Sequence, residues 1–232
     1  RVIEGGKFYE TIRKYAPDVK IIFDTVDLHY LRLERQANLA SEEDREEMRQ
    51  LAQAIKQREL FLMRHADETI VLSEFESTML DKEEGIRGVT TIPIVLETID
   101  EISPFKARQH IAFIGGFQHT PNLDAVEYFI DKLWQPIKKA LPGIKFYIVG
   151  SKPTTYLYSL AEDDADIIVT GYLESLEPLM SEIKLTVAPL RFGAGIKGKI
   201  GSSLSLGVPC VATDIAGEGM GLEDGKNILL AS

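Results

Sequence analysis

The sequence has one cysteine, Cys210, inside an apolar stretch from Val208 to Ala212. A single thiol excludes a disulfide framework and a cysteine-based zinc cluster, and it predicts a reducing, cytoplasmic setting with no metal site. There is no unbroken apolar run of about eighteen residues, so no segment is predicted to cross a membrane as a helix. Positive charge is scarce: 26 Lys and Arg stand against 36 Asp and Glu, a formal net charge of −10. That balance gives no footprint for nucleic acid and repels anionic headgroups. Any anionic ligand must therefore be held by backbone dipoles and a few local cations. The chain also lacks an initiator methionine and a signal-peptide pattern, opening at Arg1 in a helical stretch and stopping at Ser232 after a strand-like one. It reads as an internal piece of a longer protein, with peripheral membrane contact possible only through the parts outside it.

What is present is ordinary globular material: 232 residues, 44% hydrophobic and 27% charged, room for one or two domains. Short apolar runs bounded by turn residues alternate with amphipathic stretches, the rhythm of parallel strands and crossover helices. Strands are expected at Ile21–Phe23, Glu68–Leu72 and Thr90–Val95, with a long helix over Glu42–His65 that carries Met48, Leu51, Ile55 and Leu62 on one face. Its acidic start, Glu43 to Glu47, reads as solvated surface at the positive end of the helix dipole. The polar, proline-ended Thr98–Pro104 predicts a linker, dividing the chain into domains 1–104 and 105–232.

Beyond it, strands are expected near Ile111–Ile114, Lys145–Val149, Asp166–Thr170, Leu185–Pro189, Val208–Thr213 and Asn227–Leu230. Helices are expected to start near Pro121, Pro153, Leu173, Ile196 and Ile215, with a kink or early end at Pro136. Such alternation predicts a doubly wound parallel sheet, whose ligands bind at the carboxyl ends of the strands. Four strands run into glycine loops: Gly115-Gly116, Gly150, Gly171-Tyr172, and Pro189 to Lys199 with Gly193, Gly195, Lys197, Gly198 and Lys199. In the last, bare backbone N–H groups, a helix start and two lysines together make a seat for a diphosphate. For Gly115, Gly150 and Gly171, tight-turn geometry is an equally good explanation.

Two generic motifs overlap that loop. Gly193, Gly195 and Gly198 satisfy G-x-G-x-x-G with Asp214 as a ribose-binding acid, which keeps an NAD(P)-dependent oxidoreductase open as an alternative. The spacing from Gly193 to Lys199 also imitates a P-loop, but Ile200 stands where a magnesium-binding hydroxyl is required, which excludes that reading.

The stretch Val187-Ala-Pro-Leu-Arg-Phe-Gly-Ala-Gly-Ile-Lys-Gly-Lys-Ile200, with Gly207-Val-Pro-Cys-Val-Ala-Thr-Asp214 and Glu218-Gly-Met220, resembles the group 1 glycosyltransferases of bacterial polysaccharide assembly. So do Phe113–Asn122, Phe23–Arg32 and Ala66–Glu74. The resemblance implies a GT-B arrangement of two Rossmann-like domains, the first incomplete and acceptor-side, the second donor-binding and truncated. It implies transfer of a sugar, with retention and without a cofactor, from a nucleotide-diphosphate sugar to a glycan or lipid-linked acceptor. Gly193 to Lys199 would face the diphosphate and sugar, Gly150 and Gly171-Tyr172 the nucleobase, and Asp27 or His29 the transferred sugar. Many relatives have paired glutamates where this chain has Ala194 and Ser202, and Arg and Lys where it has Gln118 and His119. These departures leave a third reading, a non-catalytic binding protein derived from a transferase. By itself the piece is expected to bind a nucleoside diphosphate without transferring sugar. Read from residues alone, His29 and Asp27 are either catalytic or structural hydrogen-bonding groups, and Glu218 either a ligand contact or part of a solvated loop.

Overall fold

The computed structural model describes residues 2–99 and 103–231, and the chain forms two compact α/β units. The first comprises the chain up to Ile94 together with two later segments, Phe192–Ile196 and Glu218–Gly221. The second takes the remainder from Val95 onward. The division therefore falls between Ile94 and Val95 rather than at 104, and residues 100–102 of the expected linker lie outside the described residues.

In the first unit the order is α1 (Val2–Tyr15), β1 (Ile22–Asp24), α2 (His29–Leu39), α3 (Glu42–His65), β2 (Glu68–Val71), α4 (Glu74–Glu84) and β3 (Val89–Thr91). The strands pair in parallel in the order β1-β2-β3. Ser41 and Ser73 start α3 and α4 by accepting the N–H three residues on, from Asp44 and Glu76. Gly85 ends α4 at a φ of 65°, the left-handed turn that lacks a penalty only for glycine. Pro93 has no N–H to give a ladder, and β3 is accordingly shorter than the apolar run Thr90–Val95 suggests. Leu28, Tyr30, Val71 and Leu80 are buried at the centre of the core, and Ala194 from the later segment belongs to the same cluster.

The second unit contains β4 (His110–Ile114), α5 (Thr120–Tyr128), α6 (Gln135–Ala140), β5 (Phe146–Val149), α7 (Thr155–Asp163), β6 (Ile167–Gly171), α8 (Glu177–Met180), β7 (Ile183–Ala188), α9 (Gly198–Ser205), β8 (Cys210–Ala212), α10 (Asp214–Gly217) and β9 (Leu229–Leu230). Its six strands are parallel in the order β6-β5-β4-β7-β8-β9. Counted within the unit this is 3-2-1-4-5-6, the doubly wound arrangement. β4 is buried over Ile111, Ala112 and Phe113, as a strand covered on both faces must be. Pro209, without an N–H, delays β8 to Cys210. The cysteine is buried, a small core residue.

Pro136 does not stop its helix. Between α5 and α6 the residues Phe129–Trp134 form a π-helical stretch, so the chain runs helically from Thr120 to Ala140. The wider turn falls just ahead of the proline, where an i to i−4 bond cannot form, and rearranged hydrogen bonding carries the helix past Pro136 instead of ending it. Phe129 and Trp134 are buried against Phe146, with ring centroids 4.5 and 5.8 Å away.

The β4 and β5 ends approach so closely that a Cβ built on Gly150, whose φ is 148°, would stand 1.9 Å from the Gly115 carbonyl oxygen. Gly150→Ala is therefore expected to cost about 2–4 kcal/mol in urea unfolding. Gly198→Ala, with open space around the new methyl, should stay within about 0.5 kcal/mol of the parent or gain slightly from helix propensity.

Candidate functional site

In the second unit strand order reverses between β4 and β7, so the crossovers leaving them diverge and open a crevice at their carboxyl ends. Bordering that crevice in this unit are Gly115-Gly116 and Lys197 with the start of α9. Asn122, buried in the first turn of α5, joins the two: its Nδ2 donates to the Gly116 carbonyl at 2.8 Å and its Oδ1 accepts from Lys199 Nζ at 2.6 Å. A Cβ on Gly115 would lie 2.8 Å from that Nδ2, so this glycine is required by the bridge. α9 is fixed beneath by the buried Ser203, whose hydroxyl is 2.6 Å from that of Thr186 on β7 and donates to the Val208 carbonyl at 2.8 Å.

Gly198 opens α9, with Lys197 buried at the preceding position and Lys199 one residue in. Lys199 Nζ also stands 5.3 Å from the centroid of the Phe113 ring. Burial pushes the Lys199 ammonium down to about 8, with Lys197 adding repulsion and Cys210 opposing it. Two lysines and a helix start thus converge where the charge of one lysine is uncompensated enough to be easily lost, an arrangement that an anion would relieve. Arg191 is used differently: it pairs with Asp124 on α5 through two hydrogen bonds and lies over the Tyr128 ring at 5.4 Å.

The neighbouring glycine loops complete the end of the sheet. Gly150 N–H donates to the Gly171 carbonyl at 2.9 Å, and Gly171 has a φ of 72°. Tyr172, the next residue, is 72% exposed, an aromatic face available for stacking.

Asp27 and His29 sit past the carboxyl end of β1 in the first unit. Val26 before them has a φ of 61°, a strained value for a β-branched residue. The His29 ring nitrogen Nδ1 lies 3.2 Å from Asp27 Oδ1 and 3.3 Å from Glu59 Oε1. Its pKa is raised, first by the Glu59 hydrogen bond and then by the Asp27 charge, against the opposing effect of burial. Asp27 Oδ2 in turn accepts from Arg32 Nε at 3.2 Å. Of the segments added to this unit, Gly195 packs where a Cβ would come within 2.8 Å of Asp27 Cβ, and its φ is 71°. Arg35 on α2 forms a two-pronged pair with Glu218, both bonds 2.8 Å, and donates to the Gly193 carbonyl at 2.7 Å. The Glu218 carboxylate is thus engaged by an arginine rather than lying in a solvated loop.

The site residues expected from the sequence fall into two groups. Gly115, Gly116, Gly150, Gly171, Tyr172, Lys197, Gly198 and Lys199 border the carboxyl end of the second unit's sheet, while Asp27, His29, Gly193, Gly195 and Glu218 belong to the first unit. Asn122, Arg35 and Glu59 were missed. Glu59 had a signal: it continues the stripe Ala52, Ile55, Leu62 on α3, where a carboxylate is out of place unless something buried needs it. Among the described residues no group of three or more His, Cys, Asp or Glu is placed to hold a metal ion, and no helix is long and apolar enough to cross a membrane.

Gly193, Gly195 and Gly198 follow β7, the fourth strand of the unit, whereas a dinucleotide fingerprint belongs after the first. Position thus argues against the oxidoreductase alternative. No curated protein matches the chain in sequence. Solved structures do match in fold: sucrose-phosphate synthase from Thermosynechococcus elongatus (16% identity, 97% of this chain and 57% of that one, TM-score 0.70), Anabaena HepE in complex with UDP and glucose (14%, 100% and 61%, 0.67), and S. aureus TarM in complex with UDP and other ligands (17%, 77% and 36%, 0.62). The chain spans roughly one to two thirds of their lengths, 36 to 61%. Their parallel α/β architecture is the Rossmann-like kind of GT-B glycosyltransferases. The profile described as "Glycosyl transferases group 1" matches residues 108–232, more than half of the chain, and the chain belongs to that family.

Proposed function

We propose that this chain handles the donor in a retaining glycosyltransferase that moves a sugar from a nucleotide-diphosphate sugar to a glycan or lipid-linked acceptor in cytoplasmic polysaccharide assembly. The observation that carries the reading is the bridge Gly116–Asn122–Lys199 at the point where the strand order reverses. It sets a lysine, a helix start and a glycine loop around one place, which is what a leaving diphosphate needs. As the bond to the anomeric carbon breaks, negative charge grows on the diphosphate. Lys197, Lys199 and the first N–H groups of α9 then gain more from it than they gain in the ground state, which is how binding becomes catalysis.

Gly150, Gly171 and Tyr172 are proposed to take the nucleobase, and Gly193 and Gly195 the sugar and diphosphate. Asp27 and His29 are proposed to serve the acceptor side, with Glu218 holding its loop through Arg35. UDP is the first nucleotide to test, because the HepE and TarM complexes contain it.

Calorimetric titration with UDP, UDP-sugars and other nucleoside diphosphates, with NAD and NADP as comparators, tests this. Lys197→Ala or Lys199→Ala is expected to weaken nucleoside diphosphate binding by about 1–3 kcal/mol. Unchanged affinity in both variants moves the site elsewhere, and tighter binding of NAD favours the oxidoreductase.

The lowered Lys199 pKa adds a pH test. A bound diphosphate restores the charged ammonium, so binding near pH 8 should take up a proton, and affinity should fall as pH rises beyond about 8. Titrations in two buffers of different ionisation enthalpy measure that uptake. Lys199→Arg, charged throughout, should remove the Lys199 part of it.

A further inference from the structure

We propose that Glu59 is the positioning residue of His29, holding the imidazole with its proton on Nδ1 so that Nε2 keeps the lone pair and can accept a hydrogen bond from a hydroxyl of the sugar-transfer reaction. The inference rests on the reading of His29 as a residue that faces the reaction. Glu59 is fully buried on α3, yet each oxygen is used: Oε1 accepts the His29 backbone N–H at 3.1 Å and Oε2 that of Tyr30 at 2.9 Å. These are the first two N–H groups of α2, whose own preceding residue, Leu28, offers no side-chain cap. A carboxylate from another helix therefore supplies the cap, and the positive end of the α2 dipole stabilises its charge.

The same Oε1 also lies 3.3 Å from His29 Nδ1. Among the described residues, those around that nitrogen are acceptors: Glu59 Oε1, Asp27 Oδ1 at 3.2 Å and the Asp27 carbonyl at 3.2 Å. A neutral imidazole has one N–H, and three acceptors at one nitrogen put it there, which leaves the lone pair on Nε2. Asp27 cannot do this alone, since its other oxygen is drawn to Arg32 and its side chain is partly exposed. Glu59 is fixed by two backbone bonds, so the ring is held by the rigid partner. The charged groups facing the ring are thus Asp27 from the β1–α2 turn and Glu59 from α3, with Arg32 of α2 acting through Asp27. A carboxylate that fixes the tautomer of a histidine can change rates without touching substrate.

The test uses nitrogen-15-labelled histidine and long-range proton–nitrogen correlation spectra, which report tautomer and titration midpoint; His29→Asn assigns the signal. Neutral His29 is expected to carry its proton on Nδ1 and to titrate above about 6.5. Glu59→Gln keeps an acceptor for α2 but removes the charge, and should lower the midpoint and release the tautomer. In sugar transfer by the whole protein, rather than by this stretch alone, it should lower kcat at least about tenfold with KM for the donor unchanged. A wild-type ring protonated on Nε2, an unchanged midpoint in folded Glu59→Gln, or an effect confined to KM overturns the proposal. If Glu59→Gln fails to fold, the wild-type tautomer decides alone. The spectra need no ligand, so their outcome is independent of whether a nucleoside diphosphate binds.

Discussion

A crossover between parallel strands is right-handed, and the second unit turns that rule into a place. Its sheet grows outward from β4 in one direction through β5 and β6, then in the other through β7, β8 and β9. The connections after β4 and β7 must leave on opposite faces, and no loop can then close the gap between their ends. The second unit's residues proposed for diphosphate binding, Lys197, Gly198 and Lys199, lie beside that gap. Glycines let the chain turn there, Asn122 ties the two borders together, and α9 points its first N–H groups at the opening. The chemistry is thus an outcome of topology before it is one of residue choice.

How much of this was legible in the sequence varies with the physical range of the signal. The α3 limits were readable because the apolar stripe and an acidic first turn are local. The doubly wound sheet was readable because strand and helix periods alternate for over a hundred residues. Proline positions were local too, yet their effects were not: Pro136 yields a π-helical turn because burial of Phe129 and Trp134 outweighs the lost hydrogen bond. Asn122 stood in the recognised stretch Phe113–Asn122, but its use depends on Lys199, 77 residues away. Arg35 meets Glu218 across 183 residues, a distance no spacing rule spans.

The two candidate centres use opposite means of controlling charge. At Lys199 burial and a like-charged neighbour make an ammonium easy to neutralise, readying it for an anion. At His29 buried and nearby carboxylates make an imidazolium easier to form. The two shifts run in opposite directions, down for the lysine and up for the histidine. The buried lysine costs stability, whereas the carboxylates around His29 add stability when its ring is protonated.

The membership of Phe192–Ile196 and Glu218–Gly221 in the first unit has a consequence for how the molecule is made. Ala194 fills part of that unit's core, and the Gly193 carbonyl and Glu218 carboxylate satisfy Arg35. A ribosome adding about 5–20 residues per second completes the earlier strands and helices of this unit well before these partners emerge. During that interval Arg35 lacks both acceptors and the core lacks a side chain. The unit that begins earlier in the chain is therefore not complete when its own strands and helices are, and its final stability is acquired only once Glu218–Gly221 has emerged.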